Sequence, residues 1–237
     1  MKNALEKDDL AKMCTIDGQL LWLTNTLSEC GIKYWLDSGS LLGLVREGIL
    51  LEHDGDIDVG LLSGQEKRME EFLSNAKNEG YRWRRNLYKG EVFKYKLESR
   101  EVTAVRIIDI NIFREEDNHL WCPQEKAVKS LERRKLLLAP LIKCVERFLI
   151  SRDYEKFPLS LRGTYTWWIP SDLVLPTQKY EDSGISVPSQ LAAYLEFRYG
   201  NWQIPNKNWS FWKDDGGLNK SRPEELVDLP TKRRSKR

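Results

Sequence analysis

The chain has 237 residues, of which 41% are hydrophobic and 31% are charged, and this composition is typical of one globular domain. The formal net charge of +2 excludes a protein that binds nucleic acid over its whole surface. No apolar run reaches the roughly 20 residues that a membrane-spanning helix needs, and the charged N-terminus lacks the apolar segment of a signal peptide. We therefore expect a cytoplasmic protein.

The cysteines are dispersed and form no C-x-x-C pair; they are Cys14, Cys30, Cys122 and Cys144. This spacing favours buried free thiols over a zinc site or a disulfide framework. The expectation of a reducing compartment follows from it.

In chain order, the first predicted element is a helix over residues 9–30, because apolar residues recur there at helical spacing and Gly31 follows as a C-cap. A strand is predicted at 32–36, followed by a Gly-Ser turn at 37–40. A short helix then starts at Leu41, and its free N–H groups would face a phosphate.

The middle of the chain alternates between strands and one further helix. A strand is predicted at 56–61 and a helix at 65–78, which Gly80 ends. Three more extended runs follow, at residues 81–86, 91–98 and 104–113.

The C-terminal half has a different character. Residues 130–150 are mostly helical in pattern, with a break or kink at Pro140. Residues 157–212 are rich in Trp, Tyr and Pro, and their aromatic side chains could stack on a sugar, a nucleobase or a quaternary ammonium group. Packing of an irregular lobe onto the sheet is the favoured interpretation for most of them. The basic residues 232–237 predict a disordered tail, with contact to an anionic membrane or polyanionic acceptor as the alternative.

Two carboxylates in one predicted strand are the strongest chemical signal. Asp56 and Asp58 alternate with Ile57 and Val59, so both acids point to one face while the apolar residues point to the core. A hard divalent cation could bridge them. An isolated D-x-D pair on a solvated loop is the common alternative.

A third acid, Asp109, lies among β-branched residues in the run 104–113, where an unpaired carboxylate would be costly. If its strand lies beside that of Asp56 and Asp58, the three carboxylates converge next to Gly39 and Ser40. We expect them to hold Mg²⁺ or Mn²⁺ for phosphoryl transfer, with Asp109 also a candidate general base.

Other polar residues could add to this site. Asp54 just precedes the pair, and Arg46 could clamp a phosphate or form a surface salt bridge. His53 could take part in acid–base chemistry or cap the turn. Lys94 and Lys96 could reach the leaving phosphate, although they fit a solvated sheet face equally well.

Taken together, these motifs resemble the LicD/fukutin family. The similarity lies in YWLDSGSLLGLVREG at residues 34–48, HDGDIDV at 53–59 and Ile108–Ile110 as the third acidic position. It continues in YEDSGISVP at 180–188 and YLEFRYGNW at 194–202. Before the acidic pair, the chain has Glu-His-Asp-Gly-Asp where bacterial members usually have Pro-Trp-Asp-Asp-Asp.

The resemblance implies a nucleotidyltransferase-like α/β fold, related to the DNA polymerase beta-like superfamily, with a mixed sheet flanked by helices. It implies transfer of phosphocholine from CDP-choline, or ribitol phosphate from CDP-ribitol, to a sugar hydroxyl of a glycan. Asp56 and Asp58 would be metal ligands, Asp109 the third acid, and Gly39 and Ser40 the phosphate-turn positions.

We therefore predict one domain over residues 1–230, with a catalytic core at about 30–115, a helical and aromatic-rich part at about 116–213, and a basic tail at 231–237. The expected activity is Mg-dependent transfer from a CDP-activated alcohol to a glycan or lipid-linked glycan, without nucleic acid, in the cytoplasm or at the inner membrane face. Asp54 and Arg46, with Gly39 and Ser40, are the predicted donor-binding residues. Nucleotidyl transfer to a small molecule, protein or RNA end, and a non-catalytic glycan-binding module, are the alternatives.

Overall fold

The computed structural model describes residues 17–88, 90–100, 106–127 and 162–219. Within them a mixed β-sheet is flanked by helices, which confirms the predicted fold class. The helices are α1 Gly18–Glu29, α2 Ser38–Glu47, α3 Glu66–Asn78, α4 Ser171–Val174, α5 Leu191–Tyr199 and α6 Phe211–Asp214. The strands are β1 Tyr34–Leu36, β2 Asp56–Leu62, β3 Tyr81–Tyr88, β4 Glu91–Ser99, β5 Ile107–Glu116, β6 His119–Ala127, β7 Arg162–Pro170, β8 Gln178–Lys179, β9 Ser186–Val187 and β10 Leu218–Asn219.

Helix α1 shows how local sequence signals set the ends of an element. Asp17 caps its N-terminus, because its Oδ1 accepts a hydrogen bond of 2.8 Å from the Gln19 N–H. Gly31 follows Cys30 with φ +66°, which is the left-handed conformation that glycine adopts without steric cost. Leucines on one face are buried and join the helix to the core; they are Leu20, Leu23 and Leu27.

The main sheet has the strand order β1-β2-β5-β6-β7-β10, and the β3–β4 hairpin joins it through β4 on β5. Strands β2 and β5 pair in parallel, whereas β4 pairs with β5 in antiparallel fashion. Strand β5 therefore lies between β2 and β4 in its first half and pairs with β6 only at residues 114–116. The first half of β5 is the centre on which the candidate site is built.

The period-two pattern of β2 and β5 separates a core face from a polar face. Ile57 and Val59 are fully buried in the core, as are Ile108 and Ile110 on β5. The residues between them project to the opposite face of the sheet. The prediction that Asp56 and Asp58 share a face is therefore confirmed by the burial pattern of β2.

Most predicted elements of the first half are present with small shifts at their ends. The helix predicted from Leu41 instead begins at Ser38, so the expected turn at 37–40 is the first turn of α2. The predicted helix at 130–150, the tail at 232–237 and two cysteines, Cys14 and Cys144, lie outside the described residues. Cys30 and Cys122 are buried free thiols, as predicted.

The aromatic-rich segment is more regular than the sequence predicts, because it contains β7, α5 and several short elements. Trp167 on β7 is 2% exposed and stacks on Phe113 of β5 with ring centroids 5.8 Å apart. This contact supports the packing interpretation for Trp167. Across the described ranges, no helix is both long and apolar enough to cross a membrane.

Candidate active site

A cleft of about 1060 Å³ opens over the polar face of β2, β5 and β4. Its floor carries the acidic residues of these strands, and its opposite wall comes from the end of α5 and the segment that follows it. The wall residues include Tyr199, Trp202, Ile204, Lys207, Trp209 and Trp212. The cleft is therefore made by two parts of the chain that are far apart in sequence.

Three predicted acids meet on the cleft floor. Asp56 and Asp58 project from β2, and Asp109 lies directly beside Asp58 in the parallel β2–β5 register. Asn111, the next residue of β5 on this face, donates a hydrogen bond of 3.3 Å to Asp58 Oδ1. The predicted convergence of the three acids is present in the structure.

Two acids on the floor have raised pKa values. Burial, followed by the charge of Asp56, raises the pKa of Asp58 well above its ordinary value. Burial also raises the pKa of Asp54 to about 7, with further contributions from a hydrogen bond to Asp56 and from that residue's charge. The charge of Lys94 lowers the pKa of Asp58 and that of Arg106 lowers the pKa of Asp54, but burial and the neighbouring carboxylate outweigh them.

Asp109 has different surroundings from Asp56 and Asp58. Its carboxylate is 4% exposed and forms ion pairs with Lys94 Nζ at 3.0 Å and Lys96 Nζ at 3.1 Å. Burial lowers the pKa of Lys94, whereas the charges of Asp109 and Asp58 raise it. The effect of the two carboxylates is larger, so the pKa of Lys94 lies above its ordinary value. Asp109 is thus neutralised by lysines of β4, and its predicted roles as metal ligand and general base stay predictions.

Gly39 and Asp54 fit closely together. A Cβ on Gly39 would overlap with the Asp54 carboxylate, so only glycine permits this approach of Asp54 to the first turn of α2. The preceding residue, Ser38, has φ +51°, a conformation that costs free energy for a non-glycine residue and that is concentrated at functional sites. Gly39 and Asp54 both line the cleft, and their predicted part in donor binding stays a prediction.

Ser40 has a role different from the predicted contact with a phosphate. It is 1% exposed, lies outside the lining of the cleft, and its Oγ accepts a hydrogen bond of 3.0 Å from the Asp58 N–H. Ser40 therefore ties the first turn of α2 to the strand that carries the two acids.

Arg46 lies at the edge of the cleft and joins its two sides. Its guanidinium forms a 2.7 Å ion pair with Glu47 and donates a hydrogen bond of 3.3 Å to the Trp202 carbonyl oxygen. Both predicted roles, phosphate clamp and salt bridge, are compatible with this position. His53 also lines the cleft.

A buried ionic network that the sequence did not predict supports the N-terminus of α2. Asp37 caps this helix and accepts hydrogen bonds from Arg198 at 3.1 Å and from the Tyr194 hydroxyl. Arg198 also forms a two-pronged ion pair with Asp215 and lies 4.5 Å from the centre of the Trp167 ring. Tyr194 and Arg198 lie four residues apart on α5, and that helical spacing within YLEFR was the available signal.

The residues on the floor fit a divalent cation that is completed by substrate oxygens. Within the described ranges, no three His, Cys, Asp or Glu side chains form a group that could hold a metal ion by themselves. Mg²⁺ commonly takes one or two carboxylates, several waters and the phosphates of its substrate. Asp56 and Asp58 supply the two carboxylates of such a site.

The part of the chain that forms the cleft floor matches a known protein family. The family described as LicD/FKTN/FKRP, nucleotidyltransferase domain, matches residues 31–145, which include α2, β2 and β5. This match covers 115 of the 237 residues. The resemblance inferred from the motifs is therefore confirmed.

Proteins similar to this chain include larger ones. Human ribitol-5-phosphate transferase FKTN is 25% identical over 189 residues, which is 79% of the chain and 33% of FKTN. An uncharacterised protein of Rickettsia typhi is 38% identical over 60 residues, 25% of the chain and 19% of that protein. The chain thus spans about a third of FKTN and a smaller share of the Rickettsia protein.

Among solved structures, the crystal structure of ANT(2″)-Ia in complex with adenylyl-2″-tobramycin is similar to part of this chain. The match has 15% identity and a TM-score of 0.30, and it covers 41% of the chain and 49% of that structure. A similarity this low carries no argument about the site.

Proposed function

We propose that the chain is a divalent-metal-dependent transferase that moves a phosphoryl-linked alcohol from a CDP-activated donor to a hydroxyl of a glycan. The transferred group is phosphocholine or a polyol phosphate. The relatives named ribitol-5-phosphate transferases support the polyol phosphate, and the LicD-family domain supports phosphoryl chemistry of the nucleotidyltransferase type.

One observation carries this proposal: Asp56 and Asp58 project side by side into a cleft large enough for a nucleotide and an acceptor. Cavities that bind small molecules commonly have volumes of about 300–1000 Å³, so about 1060 Å³ allows two substrates to lie together. The aromatic wall offers flat surfaces to a base or a sugar ring.

Burial first and the charge of Asp56 second raise the pKa of Asp58, and a bound cation would offset the repulsion between the two carboxylates. Asp56 and Asp58 would hold Mg²⁺ or Mn²⁺. When bound, such an ion neutralises phosphate charge and lowers the pKa of an attacking hydroxyl.

In the proposed reaction, the oxygen of the acceptor hydroxyl forms a bond to the phosphorus that bears the alcohol. The bond from that phosphorus to the bridging oxygen breaks, and CMP leaves with the electron pair. The hydroxyl proton passes to a carboxylate on the cleft floor. Asp54, held beside Gly39, and Arg46, at the edge of the cleft, would position the diphosphate.

Asp58→Asn tests the proposed site, with CMP release from CDP-ribitol or CDP-choline as the measurement. The variant keeps the size of the side chain but loses its charge, so we expect turnover to be abolished while the folded structure is kept. Asp172→Asn is the matched control, because Asp172 is exposed and does not line the cleft. Wild-type activity of Asp58→Asn would contradict the assignment.

Nucleotidyl transfer is the second candidate, because the family domain is described as a nucleotidyltransferase domain. Incubation with labelled CTP, CDP-choline and CDP-ribitol separates the two activities. Release of CMP from a CDP-alcohol supports the leading proposal, whereas transfer of label from CTP with release of pyrophosphate supports the alternative.

A further inference from the structure

Two lysines lie on the same sheet face as the acids of the candidate site. Lys94 and Lys96 alternate on β4, opposite Asn111 and Asp109 of β5, and both line the cleft. Their side chains are 15% and 21% exposed, so they are held at the floor of the cleft. The order across the floor is therefore Asp58 on β2, Asp109 on β5 and Lys96 on β4.

Lys94 and Lys96 contact one carboxylate directly, and Asp58 lies near enough for its charge to act on Lys94. Two ammonium groups share the single carboxylate of Asp109, at 3.0 and 3.1 Å. Burial of such a group has a desolvation cost that apolar side chains would avoid. Both ammonium groups line the cleft and each contacts one oxygen of Asp109, so their remaining N–H donors can bind an anion in the cleft.

We propose that Lys94 and Lys96 form an anion subsite that binds one phosphate of a diphosphate whose other phosphate lies at Asp56 and Asp58. Asp109 is then a positioning residue, which holds the two ammonium groups on the floor of the cleft. This subsite deepens the proposed function and rests on it for the identity of the diphosphate. It also gives Asp109 a role different from the metal ligand that the sequence predicts.

The arrangement suits phosphoryl transfer, because the bond that breaks, from phosphorus to the bridging oxygen, lies between the two phosphates of the diphosphate. A cation at Asp56 and Asp58 would hold one phosphate, and the two lysines would hold the other. The lysine subsite would also stabilise the negative charge that develops on one phosphate as the bridge breaks. Lysine acts here as a point charge and does not need the two-pronged geometry of arginine.

Inorganic pyrophosphate is a probe of the subsite that does not depend on the base or the alcohol. We would measure its binding to the full chain by calorimetry with saturating Mg²⁺. Lys96→Gln and Lys94→Gln should each weaken binding about tenfold or more, since each removes a charge-assisted hydrogen bond. Lys77→Gln removes the same charge from an exposed position on α3 outside the cleft lining and should leave binding unchanged.

Asp109→Asn separates the two roles of this residue. If Asp109 holds the lysines in place, its neutralisation should weaken pyrophosphate binding equally with and without Mg²⁺. If Asp109 is a metal ligand, the Mg²⁺-dependent binding should fall. Circular dichroism and thermal unfolding of every variant exclude loss of the fold as the cause.

The outcomes also distinguish the subsite from the proposed donor. Lysine-dependent binding of pyrophosphate without preference for CDP over CMP would support the subsite and count against a CDP-linked donor. Tight CDP binding that neither lysine variant weakens would overturn the subsite and leave the donor intact. Failure of the wild-type chain to bind pyrophosphate, or a loss in Asp109→Asn that is absent or seen only with Mg²⁺, would overturn the subsite as proposed.

Discussion

Gly39 is the residue on which the approach of Asp54 to helix α2 depends. A Cβ at this position would occupy the space of the Asp54 carboxylate, and Asp54 would have to move away from the cleft. We expect Gly39→Ala to lower CMP release on the order of 100-fold, because small displacements of positioning groups have large effects on rate. Steady-state kinetics with a CDP-alcohol would measure this.

Gly18→Ala is the control for this change. A Cβ on Gly18 meets nothing within 4 Å, and alanine favours the first turn of α1. Its activity should equal that of the wild type. Equal activity of Gly39→Ala and Gly18→Ala would show that the position of Asp54 does not matter to the reaction.

Single residues differ in how far the sequence could predict their positions. Asp56 and Asp58 could be placed on one face, because strand alternation is a local rule. The pairing of Asp109 with Lys94 and Lys96 could not be predicted, since it depends on the register of three strands from distant parts of the chain. The same holds for Ser40, whose hydroxyl faces the β2 backbone and not the cleft.

At the scale of elements, Arg198 joins α5 to the N-terminus of α2. It is fully buried between Asp37 and Asp215, so its removal leaves two buried carboxylates without their cation. We expect Arg198→Met, which keeps much of the volume, to lower the free energy of unfolding by about 3–5 kcal/mol. Urea unfolding followed by circular dichroism would measure the change.

Arg84→Met is the comparison for this loss. Arg84 forms an exposed 3.7 Å ion pair with Glu98, and such pairs contribute at most about 1 kcal/mol. A loss in Arg198→Met no greater than that in Arg84→Met would mean that the buried network does not stabilise the junction of α5 and α2.

Two strands show where prediction of elements failed. Pro123 lies within β6, and proline in a run argues against a strand. Strand β7 contains the alternating residues TYTWWI, whose β-branched and aromatic content is typical of a strand, yet the surrounding prolines and aromatics favoured an irregular lobe. The two strands pair across more than thirty residues, and no local pattern indicates such a contact.

At the scale of the whole molecule, the cleft exists only where the sheet meets the segment that follows α5. The LicD-like motifs at 34–59 and 194–202 are far apart in the sequence, and the structure joins them through Asp37 and Arg198. The two motifs are therefore parts of one physical unit. The predicted domain boundaries at 1–230 stay a prediction.

Binding of a divalent cation should stabilise the whole chain, because the ion binds the folded carboxylates of Asp56 and Asp58 and not the unfolded chain. At a concentration 100 times Kd, the gain is about 2.7 kcal/mol, which raises the Tm by roughly 5–10 °C for a chain of this size. Scanning calorimetry with Mg²⁺ or Mn²⁺ would measure this rise. Asp58→Asn should lose it and Asp172→Asn should keep it. An equal rise in both variants would place the ion elsewhere, and no rise with or without CDP would favour a non-catalytic glycan-binding module.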